Sequence, residues 1–175
     1  SALDPEYDYD AIAVSRETFA ARRFESMWRY RELLPLTPDH AISIGEGATQ
    51  LVEAPMLAEK LGVARVMIKD EGRNPTGSFV DRGQSVATTA ARERGAGTVA
   101  LASTGNGGQS ASAYASVGGL DSVVFVPSRT GFTNKAMVNV HGGEMNVVEG
   151  RIGDAISQYE GELADADEWH SLQPF

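Results

Sequence analysis

From residue 63 onward, short apolar runs alternate with helix-favouring segments at a regular spacing. Residues 98–102, 122–126 and 144–148 are rich in β-branched and other apolar residues, and a segment of helical character follows each of them. Strands that return every 22 to 24 residues after a helix are typical of right-handed βαβ units, which place parallel strands in one sheet with helices on both faces. The sequence therefore predicts an α/β fold, with a three-layer parallel sheet flanked by helices.

The predicted elements also divide the chain. We predict strands over 63–69, 98–102, 122–126 and 144–148, helices over 81–94, 107–117, 133–140 and 152–163, and entry into another strand over 168–175. Before them, one helix is predicted from Val14 to Leu34 and a shorter one over 54–61, which Gly62 ends. We expect an N-terminal helical segment, 1–62, and a βαβ domain, 63–175, that stops in mid-unit like a fragment of a larger fold.

Composition limits where the chain acts and what it binds. The formal charge of −9 disfavours nucleic acid and anionic membranes as partners, because both require a basic surface. No apolar run approaches the roughly 20 residues that span a bilayer, and residues 1–6 lack the features of a secretory signal. We therefore expect a cytoplasmic protein. Three scattered histidines and no cysteine predict no metal site.

The segment 103–108, Ser-Thr-Gly-Asn-Gly-Gly, joins a predicted strand to a predicted helix. This places it at the carboxyl edge of the sheet, where open α/β folds bind their ligands. Its glycines and the N–H groups of the helix N-terminus are suited to an anion. The simpler interpretation is a turn in which Ser103 or Thr104 caps the helix. The residues alone leave both interpretations open.

Two further patterns lie at or near this edge. The pattern Gly105-x-Gly107 does not predict a dinucleotide site, because the third glycine is missing and the next strand ends in Val126-Pro127 without an acidic residue. Arg129 and Lys135 flank the start of the following predicted helix, where they contact either a phosphate or only water.

A further run, 74–83, reads Asn-Pro-Thr-Gly-Ser-Phe-Val-Asp-Arg-Gly. With it, in order and spacing, occur the segments 28–35 (WRYRELLP), 45–49 (GEGAT), 69–72 (KDEG), 103–106 (STGN) and 126–128 (VPS). Together these motifs resemble threonine synthases of the fold-type II pyridoxal-phosphate enzymes, and the resemblance covers essentially the whole chain. It implies the tryptophan synthase β-like fold, here incomplete, and conversion of O-phosphohomoserine and water to threonine and phosphate with pyridoxal phosphate.

The resemblance also implies roles for individual residues. Val80 stands where these enzymes carry the lysine that forms a Schiff base with the cofactor. Because valine has no amine, we expect this copy to be catalytically impaired. Cofactor contacts are implied for Phe79 and Asn106, and substrate contacts for Ser78, Ser103, Thr104 and Gly105.

The chain departs from the family pattern elsewhere too. Gln50 follows Thr49 where the family usually has proline, and His170 and Gln173 stand where asparagines are expected. The family's larger part, with its cradle for the cofactor phosphate, has no counterpart in the sequence. We therefore expect exposed apolar surface that favours a homodimer or other association.

The sequence leaves three functions open. The first is a threonine synthase-like enzyme acting on a phosphorylated amino acid, impaired at position 80. The second is a non-catalytic module that still binds a small ligand at 103–106. The third is a serine or threonine dehydratase relative, against which the segments 28–35 and 72–77 argue by resemblance only.

Overall fold

The computed structural model describes residues 6–36 and 38–173. The elements in chain order are α1 (Arg16–Ala21), a 3₁₀ helix (Met27–Leu33), β1 (Leu51–Glu53), α2 (Pro55–Leu61), β2 (Met67–Lys69), a 3₁₀ turn (Glu71–Arg73), α3 (Val80–Glu93), β3 (Thr98–Ala102), α4 (Asn106–Gly118), β4 (Asp121–Pro127), α5 (Phe132–Val140), β5 (Glu144–Val148), α6 (Ile152–Asp165) and β6 (Trp169–Ser171). Three parts of the chain lie outside the described residues: residues 1–5, Thr37 and the pair Pro174-Phe175. Parts of the sequence predictions fall on them. None of the described helices combines the length and the apolar character needed to cross a membrane.

Four strands form one parallel sheet in the order β5-β4-β3-β6. In each strand of the sheet's centre, successive side chains point to opposite faces. Val99 and Leu101 of β3 therefore pack with α3, α4 and α5, whereas Ala100 and Ala102 pack with α6 on the other face. The predicted three-layer α/β fold is confirmed, and the strands over 98–102 and 144–148 have the predicted bounds.

Close contact between α4 and the sheet depends on Gly108. A Cβ at this position would lie 2.6 Å from Cγ1 of Val124 in β4. The missing side chain lets the first turn of α4 rest directly on the strand. The loop between β3 and α4 is thereby held against the carboxyl edge of the sheet.

Two sequence predictions for the region before α3 were wrong. The helix predicted from Val14 to Leu34 is broken, because Arg22 is extended and Ser26 starts a separate 3₁₀ helix by accepting a hydrogen bond from the N–H of Trp28 at 3.2 Å. The Arg22 guanidinium then pairs with Glu32 at 2.5 Å, which folds the two short helices together.

The strand predicted over 63–69 is only Met67–Lys69, and it does not join the parallel sheet. It pairs antiparallel with β1, so that Val52 lies opposite Ile68. The sequence prediction missed β1, because its partner strand lies beyond α2 and no local pattern reveals the pairing. The division of the chain at residue 62 stays a prediction.

A fully buried carboxylate joins the N-terminal third to the helices of the parallel sheet. Glu46 accepts hydrogen bonds from the hydroxyls of Ser43, Ser85 and Tyr114 and from the N–H of Ile44, at 2.9 to 3.1 Å. These donors come from the loop itself, from α3 and from α4. The charge is therefore fully satisfied, which is the condition for burying a carboxylate without a large penalty.

A second carboxylate, Glu71, connects three of the segments singled out from the sequence. Nε and Nη2 of Arg82 donate to its two oxygens at 2.7 and 2.9 Å. The Thr49 hydroxyl donates at 2.8 Å and Asn74 Nδ2 at 3.0 Å. The pKa of Glu71 is lowered from 4.5 to about 2, and the hydrogen bonds from the Arg82 guanidinium are the main cause.

We expect Tyr114→Phe to lower the free energy of unfolding by about 1–3 kcal/mol, because it removes one donor from a buried carboxylate. Burial, with the charge of Glu46 beside it, raises the pKa of Tyr114, so that its hydroxyl stays a donor. The matched control is Tyr159→Phe, whose hydroxyl donates to the neutral Ser171 Oγ at 2.6 Å and whose loss should cost about 0.5–1.5 kcal/mol. Urea unfolding measures both; equal losses would contradict the assignment.

Acid unfolding tests the Glu71 pair. A carboxyl whose pKa is lowered in the folded state contributes stability above its ordinary pKa, 4.5, and loses it as the pH falls toward 2. We expect Glu71→Gln to lower the free energy of unfolding by about 1 kcal/mol at neutral pH, since the pair is partly exposed. The variant should also lose less stability than the wild type in that acid window. Glu53→Gln, at an exposed pair with Arg65, is the control and should follow the wild type; an unchanged acid limb in Glu71→Gln would refute the role.

Candidate functional site

The turn that precedes α3 is fixed by a third buried carboxylate. Asp81 accepts hydrogen bonds from the N–H of Thr76 at 2.7 Å, from the Thr76 hydroxyl, and from Ser110 Oγ of α4 at 2.5 Å. Gln109 Nε2, also from α4, donates to the carbonyl of Thr76 at 3.0 Å. Gly77 supplies a φ of +83°, which side chains disfavour. Because α3 begins three residues later, these contacts fix the start of that helix.

Val80 lies half-buried at this start, in the wall of a groove of about 620 Å³. The groove runs between the first turns of α3 and the residues that follow β6, and Phe79, Gln84, Leu172 and Gln173 contribute to its lining. Phe79 is 67% exposed beside it. The groove is therefore largely apolar at the position where the resemblance leads one to expect an amine.

The described lysines lie elsewhere. Lys60 is exposed on α2. The Nζ of Lys69 donates to the carbonyl of Thr49, and the Nζ of Lys135 donates to the carbonyl of Ser128 at 3.0 Å. None of the three lines the groove beside Val80.

Ser78 is separated from this groove by its burial. It is 5% exposed, and its hydroxyl accepts a hydrogen bond from the N–H of Val80 at 3.2 Å. In the described structure this side chain stabilises the first turn of α3. The predicted contact of Ser78 with a substrate stays a prediction.

The loop between β3 and α4 is shaped by Ser103. Its hydroxyl accepts hydrogen bonds from the N–H groups of Gly105 and Gly108, at 3.2 and 3.0 Å. Thr104 and Asn106 are exposed at the tip of the loop, and Asn106 is the first residue of α4. The capping interpretation is confirmed for Ser103, which accepts from the N–H of Gly108 in the first turn of α4. The anion-binding interpretation stays a prediction.

Gln173 connects this loop to the groove. Its side chain lines the groove, and its Oε1 accepts a hydrogen bond from the N–H of Ala102, directly before Ser103, at 2.7 Å. Together with the bond from Gln109 to Thr76, this contact brings the Val80 turn and the Ser103 loop to one edge of the sheet. The predicted site residues therefore form one region, with Ser78 beneath it.

A polar cleft of about 510 Å³ lies at the opposite edge of the sheet. Arg94, Asp167 and His170 are among its lining residues, and none of the predicted site residues is. Burial, and secondarily the charge of Arg94, lowers the pKa of His170. This cleft is remote from the carboxyl ends of the strands, where ligands of open α/β sheets bind.

Sequence reasoning missed two contributors to the site. The role of Asp81 depends on partners in α4, and only its place in the first turn of a predicted helix gave a signal. Gln84 is 7% exposed and lines the groove, yet its Oε1 has no hydrogen-bond partner within the described residues. No local sequence pattern marks it.

Comparison with known proteins adds independent evidence. A family profile described as "Pyridoxal-phosphate dependent enzyme" matches residues 42–175. The threonine synthase of Methanosarcina acetivorans is 38% identical over 156 residues, which cover 89% of this chain and 38% of that protein. The threonine synthase of Methanocaldococcus jannaschii is also 38% identical, over 88% of this chain and 39% of its own length. The chain thus spans about two fifths of the length of these relatives.

Solved structures agree on the fold. A pyridoxal 5'-phosphate-dependent aspartate racemase matches 71% of this chain and 39% of its own with a TM-score of 0.66 and 25% identity. Threonine deaminase isoform 2 from Solanum lycopersicum matches 73% of this chain and 35% of its own with a TM-score of 0.63 and 25% identity. The matched profile covers most of the chain, and the sheet, its flanking helices and the loops at its carboxyl edge agree with it, so the chain belongs to the family of pyridoxal-phosphate dependent enzymes.

Proposed function

We propose that this chain is a threonine synthase-like member of its family, built to bind a phosphorylated amino acid but unable to form the covalent link to the cofactor. One observation carries the proposal: Val80 lies on a rigidly held turn in the groove wall, and no described lysine reaches that groove. The identity to threonine synthases supports the substrate class, and the missing amine supports the impairment.

The residues present do not fit covalent attachment of pyridoxal phosphate. When bound, this cofactor supplies an electron sink, and a lysine of the protein holds it as an imine. The wall at Val80, Phe79 and Leu172 offers only apolar groups. We therefore derive no reaction step through the cofactor in this chain.

The Ser103 loop fits a carboxylate. Asn106 and Gly107, the first residues of α4, have N–H groups that find no acceptor within the helix, and in this turn the Ser103 hydroxyl accepts only from the N–H of Gly108. The exposed hydroxyl of Thr104 and amide of Asn106 add further donors. Because Ser103 already organises the loop, little ordering is needed to bind a small anion.

A second candidate function is a ligand-binding module without turnover. The preformed Ser103 loop beside an amine-free groove favours it. The dehydratase alternative rests on fold likeness to the tomato threonine deaminase at 25% identity, compared with 38% for the threonine synthases.

The region before residue 63 and the βαβ region after it remain our two proposed units. Association of the chain through exposed apolar surface also remains a proposal.

Restoring the amine tests the assignment of position 80. We expect Val80→Lys to form a borohydride-reducible adduct with pyridoxal phosphate at that position, whereas the wild-type chain forms none in the groove. Val63→Lys, which adds the same amine at an exposed site before β2, is the control for nonspecific reaction. Peptide mass spectrometry locates the adduct; equal modification of both variants would contradict the proposed geometry.

The impairment is tested on the wild-type chain. We expect no release of phosphate from O-phosphohomoserine in the presence of pyridoxal phosphate, measured by a colorimetric phosphate assay against a protein-free blank. Phosphate release above that blank would refute it.

A further inference from the structure

A cleft of about 270 Å³ lies beside the Ser103 loop at the carboxyl edge of the sheet. Thr104 forms one wall, and the starts of α5 and α6 form the others. The remaining lining residues are Pro127, Arg129, Thr130, Gly131, Gly150, Arg151 and Ile152. The cleft is separate from the groove at Val80, with which it shares no lining residue.

Two guanidinium groups give the cleft its charge. Arg129 and Arg151 are both exposed, and neither forms a salt bridge with a carboxylate in the described part of the chain. Arginine binds phosphate well because its planar group donates two parallel hydrogen bonds. Two unpaired arginines at one cleft therefore favour an anionic ligand.

The start of α5 adds backbone donors. This nine-residue helix begins at Phe132, and Gly131 before it provides no side-chain cap. The first N–H groups of the helix have no acceptor within it, and the helix dipole favours negative charge there. Gly105 allows this turn to approach the Ser103 loop, since a Cβ at that position would lie 3.0 Å from Asn134 Nδ2.

An unpartnered hydroxyl points to a ligand independently of these charges. Thr130 lines the cleft and is only 8% exposed, yet its Oγ1 has no hydrogen-bond partner within residues 6–36 and 38–173. A buried hydroxyl without a partner is unfavourable, because it has given up its hydrogen bonds to water. An oxygen of a bound anion would accept its hydrogen.

Two carboxylates near the cleft are already occupied. Asp154 Oδ2 accepts a hydrogen bond from the N–H of Arg151, the residue before α6, at 2.6 Å, which places a negative charge at the start of that helix. Glu149 Oε2 accepts from the Ser128 hydroxyl at 3.1 Å. The anion is therefore expected against α5, Thr130 and the two arginines.

We propose that this cleft binds a phosphate group, as inorganic phosphate or as the phosphoryl group of a phosphorylated amino acid. The site deepens the proposed function, because Thr104 belongs to both the cleft and the proposed carboxylate loop. It requires neither the cofactor nor an amine at position 80, so its test separates its failure from failure of the proposed function.

The test is calorimetric titration of the wild-type chain with inorganic phosphate, without cofactor. We expect saturable binding that Arg129→Gln and Arg151→Gln each weaken by about tenfold. Thr130→Val should weaken it several-fold, and Thr130→Ser, which keeps the hydroxyl, should restore it. Arg65→Gln removes an equal charge far from the cleft and should leave affinity unchanged.

A second titration with O-phosphohomoserine distinguishes the two sources of phosphate. Binding at least about tenfold tighter than inorganic phosphate, lost in Arg129→Gln, assigns the cleft to the phosphoryl group of the substrate. Equal affinities assign it to free phosphate. The proposal is overturned if the wild type shows no saturable phosphate binding, or if Arg129→Gln and Thr130→Val bind like Arg65→Gln. Thermal melting of each variant confirms that it is folded. If one arginine variant is unfolded, the other is sufficient for the test.

Discussion

The burial of Asp81 determines how the rest of the site is arranged. A carboxylate can be buried only when donors satisfy it, and here the donors are Thr76 in the preceding turn and Ser110 in α4. The same interaction therefore closes the turn, starts α3 and attaches it to α4. Position 80 acquires a fixed place in the groove wall regardless of its side chain.

The other buried or partly buried carboxylates extend this principle along the chain. Glu46 attaches the N-terminal loop to α3 and α4, and Glu71 joins the segment around Thr49 to Arg82 in α3. Segments that are far apart in sequence are thus connected by charge-assisted hydrogen bonds, which are stronger than neutral ones. The presence of these motifs together does not require that each of them touch a ligand. Several of them hold the edge of the sheet at which open α/β folds bind their ligands.

The sequence predicted the parallel sheet well and the N-terminal third poorly, for physical reasons. The runs 98–102 and 144–148 form strands because their apolar residues are buried within one sheet, and local pattern suffices to find them. The pairing of Val52 with Ile68 and the break at Ser26 depend on distant contacts or single side-chain caps. In the site, motif resemblance located Val80 and the Ser103 loop. It did not reveal Thr130, because no sequence pattern shows that its hydroxyl lacks a partner among the described residues.

The proposed function requires that the groove at Val80 contain no amine for the cofactor. The most direct measurement is to mix the wild-type chain with pyridoxal phosphate, reduce with borohydride, and map modified lysines by peptide mass spectrometry. We expect no specific modification, with at most slow and comparable labelling of Lys60, Lys69 and Lys135. Rapid, specific modification of any one of these lysines would contradict it, because a lysine would then take the place of the missing amine.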